Sequence, residues 1–86
     1  MTFDLKNLDL FVRVAALGAI GKAGAEFNLS PTNATQRIQA LESDLGVKLL
    51  NRTTRSISLT PDGDVFVDHA KRILDAAEEA RQVLSQ

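Results

Sequence analysis

A chain of 86 residues with a formal net charge of −1 and 44% hydrophobic residues has room for one domain with a small core and much exposed surface. It contains no cysteine, which excludes disulfides and thiolate metal sites and suits a reducing compartment. No apolar run approaches membrane-spanning length and the opening MTFDLKNLDLF lacks signal-peptide organisation, so a soluble cytoplasmic protein with no membrane partner is expected.

From about Asp4 to Leu17, the residues Leu5, Leu8, Phe11, Val12 and Ala15 recur at helical spacing. Leu10, Val14 and Leu17 add a second apolar stripe, so one stripe is expected to face the core and the other a partner element. Gly18 stops this helix. A short second helix, about Ile20 to Phe27, turns Ala23, Gly24 and Phe27 inward, where small residues permit close helix approach. Its start is weakly marked, because Ala19 has no capping side chain and Gly21 lowers helix propensity, each at a cost on the order of 1 kcal/mol. Lys22 near that start is either a phosphate contact or a solvated surface lysine.

Asn28, Leu29 and Ser30 then write a turn into a third helix. Ser30 is an N-cap that can accept from the amide of Thr32 or Asn33, and Pro31 occupies the first helical position, where a missing amide costs nothing. The helix runs from 31 to 45 and ends at Gly46. Ala34, Ile38, Leu41 and Leu45 make one narrow buried face. Thr32, Gln36, Gln39 and Ser43 point the opposite way, flanked by Asn33 and Thr35. Asn and Gln can pair bidentately with adenine, and Thr can donate to a base or phosphate and touch a thymine methyl, as a major-groove reader requires. The plainer reading is a merely soluble helix.

After Gly46 the period changes to two. Leu49 alternates loosely with Leu50 and Asn51, and Ile57 and Leu59 alternate cleanly with Ser56 and Ser58. A two-stranded hairpin, or wing, is expected over 49–59, with Arg52, Thr53, Thr54 and Arg55 at its tip. Arginine at such a tip can enter a minor groove or clamp phosphate, unless the tip is only a solvated loop.

Thr60 caps the last helix ahead of Pro61 and Asp62, and no breaker follows until about Ser85. Phe66, Ala70, Ile73, Ala77, Ala80 and Leu84 fall at alternating spacings of four and three, a heptad seam widened by Val67 and Leu74. A helix of about 25 residues is roughly 37 Å long, more than a domain of this size covers alone. Part of the seam is expected to bury against a second copy; the alternative is a helix folded back onto its own domain.

Charge follows this division. From Lys22 to Leu59 five basic residues face three acidic ones, a net of +2, whereas from Thr60 onward three face six, a net of −3. The basic residues surround the polar helix and hairpin, and the acidity belongs to the tail. An enzyme is not expected: the one histidine, His69, lies beside Asp68 on the acidic helix, and there is no nucleophile motif, metal-ligand cluster or cofactor motif. A winged helix used for protein contacts is the rival reading, favoured by the slightly negative charge and the two-sided first helix.

With helix, helix, turn, polar helix, hairpin and long helix in that order, the chain resembles the N-terminal DNA-binding domain of LysR-type transcriptional regulators from Leu5 to Leu84. The residues that carry the resemblance are Leu8 to Val12 with Val14, Ala15 and Gly18, then Lys22 to Ala25, Leu29-Ser30, Gln36 to Glu42 and Leu45 to Leu49. The most specific are Asn51-Arg52-Thr53-Thr54-Arg55 with Leu59, Thr60 and Gly63. The family's common Gln-Pro-Ala-Leu-Ser after the turn is here Pro31-Thr32-Asn33-Ala34-Thr35, and its Ser and Thr at the start of the second helix are Ala19 and Gly21.

The resemblance implies a mainly α fold, a winged helix-turn-helix of three helices plus a two-stranded wing over 1–59, followed by a linker and dimerisation helix over 60–86. It implies double-stranded DNA as partner, a roughly palindromic operator and a homodimer, with a recognition helix in the major groove and a wing in the flanking minor groove. Transferred position by position, the DNA-contacting set is Lys22, Ser30, Pro31, Thr32, Asn33, Thr35, Gln36, Arg37, Arg52, Thr54 and Arg55. The expected dimer interface is Phe66, Ala70, Ile73, Ala77 and Leu84. No cofactor or metal is expected, and the family's effector-binding domain, with its small-molecule site, is not expected in this stretch.

Overall fold

The computed structural model of the chain describes residues 3–52 and 56–85. Its elements follow in the order α1 (Leu5–Leu17), α2 (Ile20–Glu26), α3 (Pro31–Leu45), β1 (Leu50–Arg52), β2 (Ile57–Leu59) and α4 (Pro61–Leu84). The two strands pair antiparallel, with Leu50 opposite Leu59, Asn51 opposite Ser58 and Arg52 opposite Ile57.

Local chemistry sets the helix ends. The Asp4 carboxylate accepts from the Lys6 amide at 2.8 Å to open α1, the Ser30 hydroxyl accepts from the Asn33 amide at 3.2 Å to open α3, and the Thr60 hydroxyl accepts from the Gly63 amide at 2.9 Å to open α4. Helix α2 starts at Ala19 with no side-chain cap. Gly18 and Gly46 close α1 and α3 in the left-handed region at φ +70° and +74°. Between α2 and α3 that conformation falls to Asn28 at φ +59°, which lets the Leu29 amide donate back to the Gly24 carbonyl at 2.9 Å. Asparagine tolerates the left-handed region because its short side chain can bond locally.

Packing then fixes how the helices cross. Leu8, Leu10, Phe11 and Val14 of α1 are buried with Ala23 of α2, Ala34, Ile38 and Leu41 of α3, Leu49 and Leu50 at the start of the hairpin, and Val67 and Ala70 of α4. Each fully buried large aliphatic or aromatic side chain contributes about 1.5–3 kcal/mol of transfer free energy. Both apolar stripes of α1 therefore find neighbours inside the chain, and only Leu5 and Leu17 at its ends remain exposed. Helices α2 and α3 approach so closely that a Cβ at Gly24 would lie 2.7 Å from that of Ala34.

The start of α4 is fastened to the hairpin. The Thr60 hydroxyl donates to the Lys48 carbonyl at 2.6 Å, and its amide donates to the Leu49 carbonyl at 3.0 Å. A side chain at Gly63 would collide with that Leu49 carbonyl, so a residue without Cβ is required there. Beyond this knot Phe66 meets Phe11 at a tilt, with ring centroids 5.9 Å apart, and meets Phe3 edge-on at 6.5 Å. Ile73 and Leu74 are half-buried, Ala77, Glu78 and Arg81 still share a groove with Leu5, Lys6 and Asp9 of α1, and Leu84 at the end of the helix is 86% exposed. No helix among the described residues is long and apolar enough to cross a membrane.

Candidate nucleic-acid interface

Burial of Ala34, Ile38 and Leu41 turns the opposite side of α3 outward. Pro31, Thr32, Asn33, Gln36, Arg37 and Gln39 are exposed there, and Thr35 is half-buried. Gln36 stands as a crest between two open grooves. One, of about 400 Å³, is lined by Pro31, Thr32, Thr35, Gln36 and Gln39. The other, of about 430 Å³, runs between α3 and the first turn of α1 and is lined by Asn7, Leu29, Asn33, Gln36, Arg37 and Ala40. Ser30 is held as the cap of α3, with its own hydroxyl proton directed to no described acceptor. Lys22 is exposed on α2, and among the described residues no ion pair engages Lys22 or Arg37.

A convex helix bearing short hydroxyls, amides and one guanidinium can enter a groove about 12 Å wide and meet base edges without burying a carboxylate against phosphate. The structure thus brings Ser30, Pro31, Thr32, Asn33, Thr35, Gln36 and Arg37 onto one surface.

The wing residues are placed differently. Arg52 closes β1 opposite Ile57, a correction to its expected place at the tip, and its guanidinium lies 3.6 Å from Oε1 of Glu42. Thr54 and Arg55 lie outside the described residues. Glu42 was legible in the sequence only as a charge on a helix, yet it is 6% exposed. Its Oε2 accepts from the Leu49 amide at 2.8 Å and the Leu50 amide at 3.2 Å, so the end of α3 holds the start of the hairpin through one carboxylate. These two amides have no helix partners and would otherwise be buried without acceptors. The signal was available: residue 42 follows Ile38 by four and falls on the buried arc of α3, where an ionised side chain needs a nonlocal partner.

Asn7 is the second residue that sequence reasoning missed. It precedes Phe11 by four and Val14 by seven, on the buried arc of α1, and is 8% exposed. Its Oδ1 is buried without a hydrogen-bond partner among the described residues.

The expected dimer seam divides. Ala70 is fully buried in its own chain, which leaves it no surface for a second copy, and Phe66 spends one face on Phe11 and Phe3. The expectation for Ala70 is corrected, because four-three spacing buries a helix against its own body as readily as against a partner, while half-buried Phe66 keeps an open side. Ile73 and Ala77 are half-buried, and Leu84 is exposed. His69 faces outward beside Val65 and Phe66.

Helix α2, short and uncapped, is clasped to α1 by Arg13, whose Nε and a terminal nitrogen donate to the two carboxylate oxygens of Glu26 at 2.7 and 2.9 Å. This bidentate hydrogen bonding raises the Arg13 pKa and lowers that of Glu26.

Comparison with known proteins places this geometry. The model of the family described as "Bacterial regulatory helix-turn-helix protein, lysR family" matches residues 5–64. The transcriptional regulator GltR of Bacillus subtilis (strain 168) is 39% identical over 83 residues, covering 96% of this chain and 28% of that protein. The chain therefore spans under a third of that relative's length. Among solved structures, the DNA-binding domain of CbnR in complex with DNA superposes with a TM-score of 0.91 at 36% identity, covering 96% of this chain and 95% of that one. The DNA-binding domain of BenM bound to benA site 1 DNA gives a TM-score of 0.89 at 28% identity, covering 96% and 93%.

Proposed function

Because this chain belongs to the LysR family of bacterial helix-turn-helix regulators, we propose that it is the family's sequence-specific reader of double-stranded DNA and acts as a homodimer in the cytoplasm. Residues 1–59 carry the DNA contacts in this reading and 60–86 the linker helix. Helix α3 enters the major groove, with Gln36 and Asn33 aimed at base edges, Thr32 and Thr35 at base methyls or phosphates, and Lys22, Ser30 and Arg37 at the backbone. The hairpin reaches the flanking groove through Arg52, Thr54 and Arg55. The observation that carries the proposal is the exposed amide and hydroxyl face of α3, on a fold whose CbnR and BenM counterparts were solved with DNA.

The dimer surface in this reading is formed by Phe66, Ile73, Ala77 and Leu84 of α4, Ala70 being spent on its own chain. Two such domains present their α3 helices to half-sites one helical turn or more apart, so the operator is roughly palindromic.

Selection of bound duplexes from a random DNA pool, at low and moderate salt, tests the proposal. An enriched inverted repeat, with affinity falling steeply as salt rises, is the expected result. Absence of enrichment, with salt-insensitive retention of a protein partner instead, would transfer the surface to protein recognition.

A further inference from the structure

Asn7, which lines the groove between α1 and α3, carries a buried polar atom that the fold does not use. Asn7 is 8% exposed, and its Oδ1 is buried without a hydrogen-bond partner among the described residues. A buried side-chain carbonyl left in this state destabilises the fold, and Leu, of nearly the same shape, would occupy the position without that cost. The same groove is lined by Asn33 and Arg37, one turn apart on α3, while Gln36 stands on the crest above. Arg37 carries five N–H donors, is exposed and has no ion pair among the described residues.

We infer that Asn7 is a positioning residue for DNA reading: its buried Oδ1 accepts one guanidinium N–H of Arg37 when α3 docks, and so fixes the direction in which the remaining donors meet the phosphate backbone. The inference rests on the DNA-reading function proposed above. It extends the recognition surface from α3 onto the first turn of α1. It also explains why a core position, in register with Phe11 and Val14, carries an amide. With one N–H taken by Asn7, the planar fork of the guanidinium has a fixed orientation toward phosphate in the complex instead of swinging about its flexible stem.

The test uses the 86-residue chain and the duplex it enriches from a random pool. Asn7→Leu removes the acceptor while keeping the volume, and Asn7→Ala removes it without adding bulk. The expected result is an Asn7→Leu protein that melts at or above the wild-type temperature yet binds that duplex about tenfold more weakly, the scale of one hydrogen bond to a charged group. Asn7→Ala shows the same loss of binding. In an Arg37→Ala background neither substitution weakens binding further, because coupled residues are non-additive. Equal losses in both backgrounds, unchanged affinity, or affinity and melting temperature falling together in Asn7→Leu would each overturn the inference. A wild-type chain that enriches no duplex overturns the DNA-reading function itself, and this inference with it.

Discussion

Helices α3 and α4 begin with the same signal, a hydroxyl cap followed by proline, and are put to opposite uses. Ser30-Pro31 stands exposed, and the helix it starts has a hydroxyl-and-amide outer face with its far end tied down by Glu42. Thr60-Pro61 is tied down at its start, where the Thr60 hydroxyl serves both α4 and the Lys48 carbonyl, while its far end projects with Val83 and Leu84 exposed. Start signals determine where a helix forms. What the helix does follows from which of its ends is fastened and which side chains are left outside.

The largest test of that contrast is Glu42→Ala. It leaves the Leu49 and Leu50 amides without their acceptor and strips Arg52 of its carboxylate, and should lower stability by about 3 kcal/mol in urea titrations. The two caps should separate next: Ser30→Ala should cost about 1 kcal/mol, and Thr60→Ala about 2 kcal/mol, because the second also removes the donor to the Lys48 carbonyl and so unfastens the hairpin from α4. Equal losses in thermal melts would mean that the fastening of α4 carries no weight.

At the projecting end, Leu84→Glu should leave urea stability within about 0.5 kcal/mol of wild type and shift the sedimenting species from dimer to monomer. Ile73 is a poorer probe, since its half-buried side chain also packs against the body. The smallest effect belongs to the Arg13–Glu26 clasp. The lowered pKa of Glu26 means that the clasp stabilises fully above the unfolded carboxylate value and is lost as pH falls through the folded one. Wild type and Arg13→Ala should therefore differ in Tm at pH 7 and converge only as pH falls below the usual carboxylate range.

The helices were legible because their boundaries are local chemistry: as caps, Ser30, Gly46 and Thr60 act on backbone within four residues of themselves, and only the second bond of Thr60, to Lys48, is nonlocal. The outward face of α3 was legible for a related reason, since Ala34, Ile38 and Leu41 fix its orientation. Ala70 was misplaced because periodicity reports that a face is buried without reporting against what. Glu42 and Asn7 were missed because residue type suggested surface while register suggested core. Glu42 is explained by amides seven and eight residues away, which become its neighbours only once the hairpin has folded.

The bond from Thr60 to the Lys48 carbonyl works as a buckle. It closes the segment that carries the wing at its root, next to the first turn of α4, and so separates attachment from display. Exchange of the residues between β1 and β2, even for a longer stretch, can alter what the wing offers without altering where it is hung. A lineage of such molecules can diversify its wing tips while every member keeps the same mounting, and an engineer grafting a new tip inherits that aim.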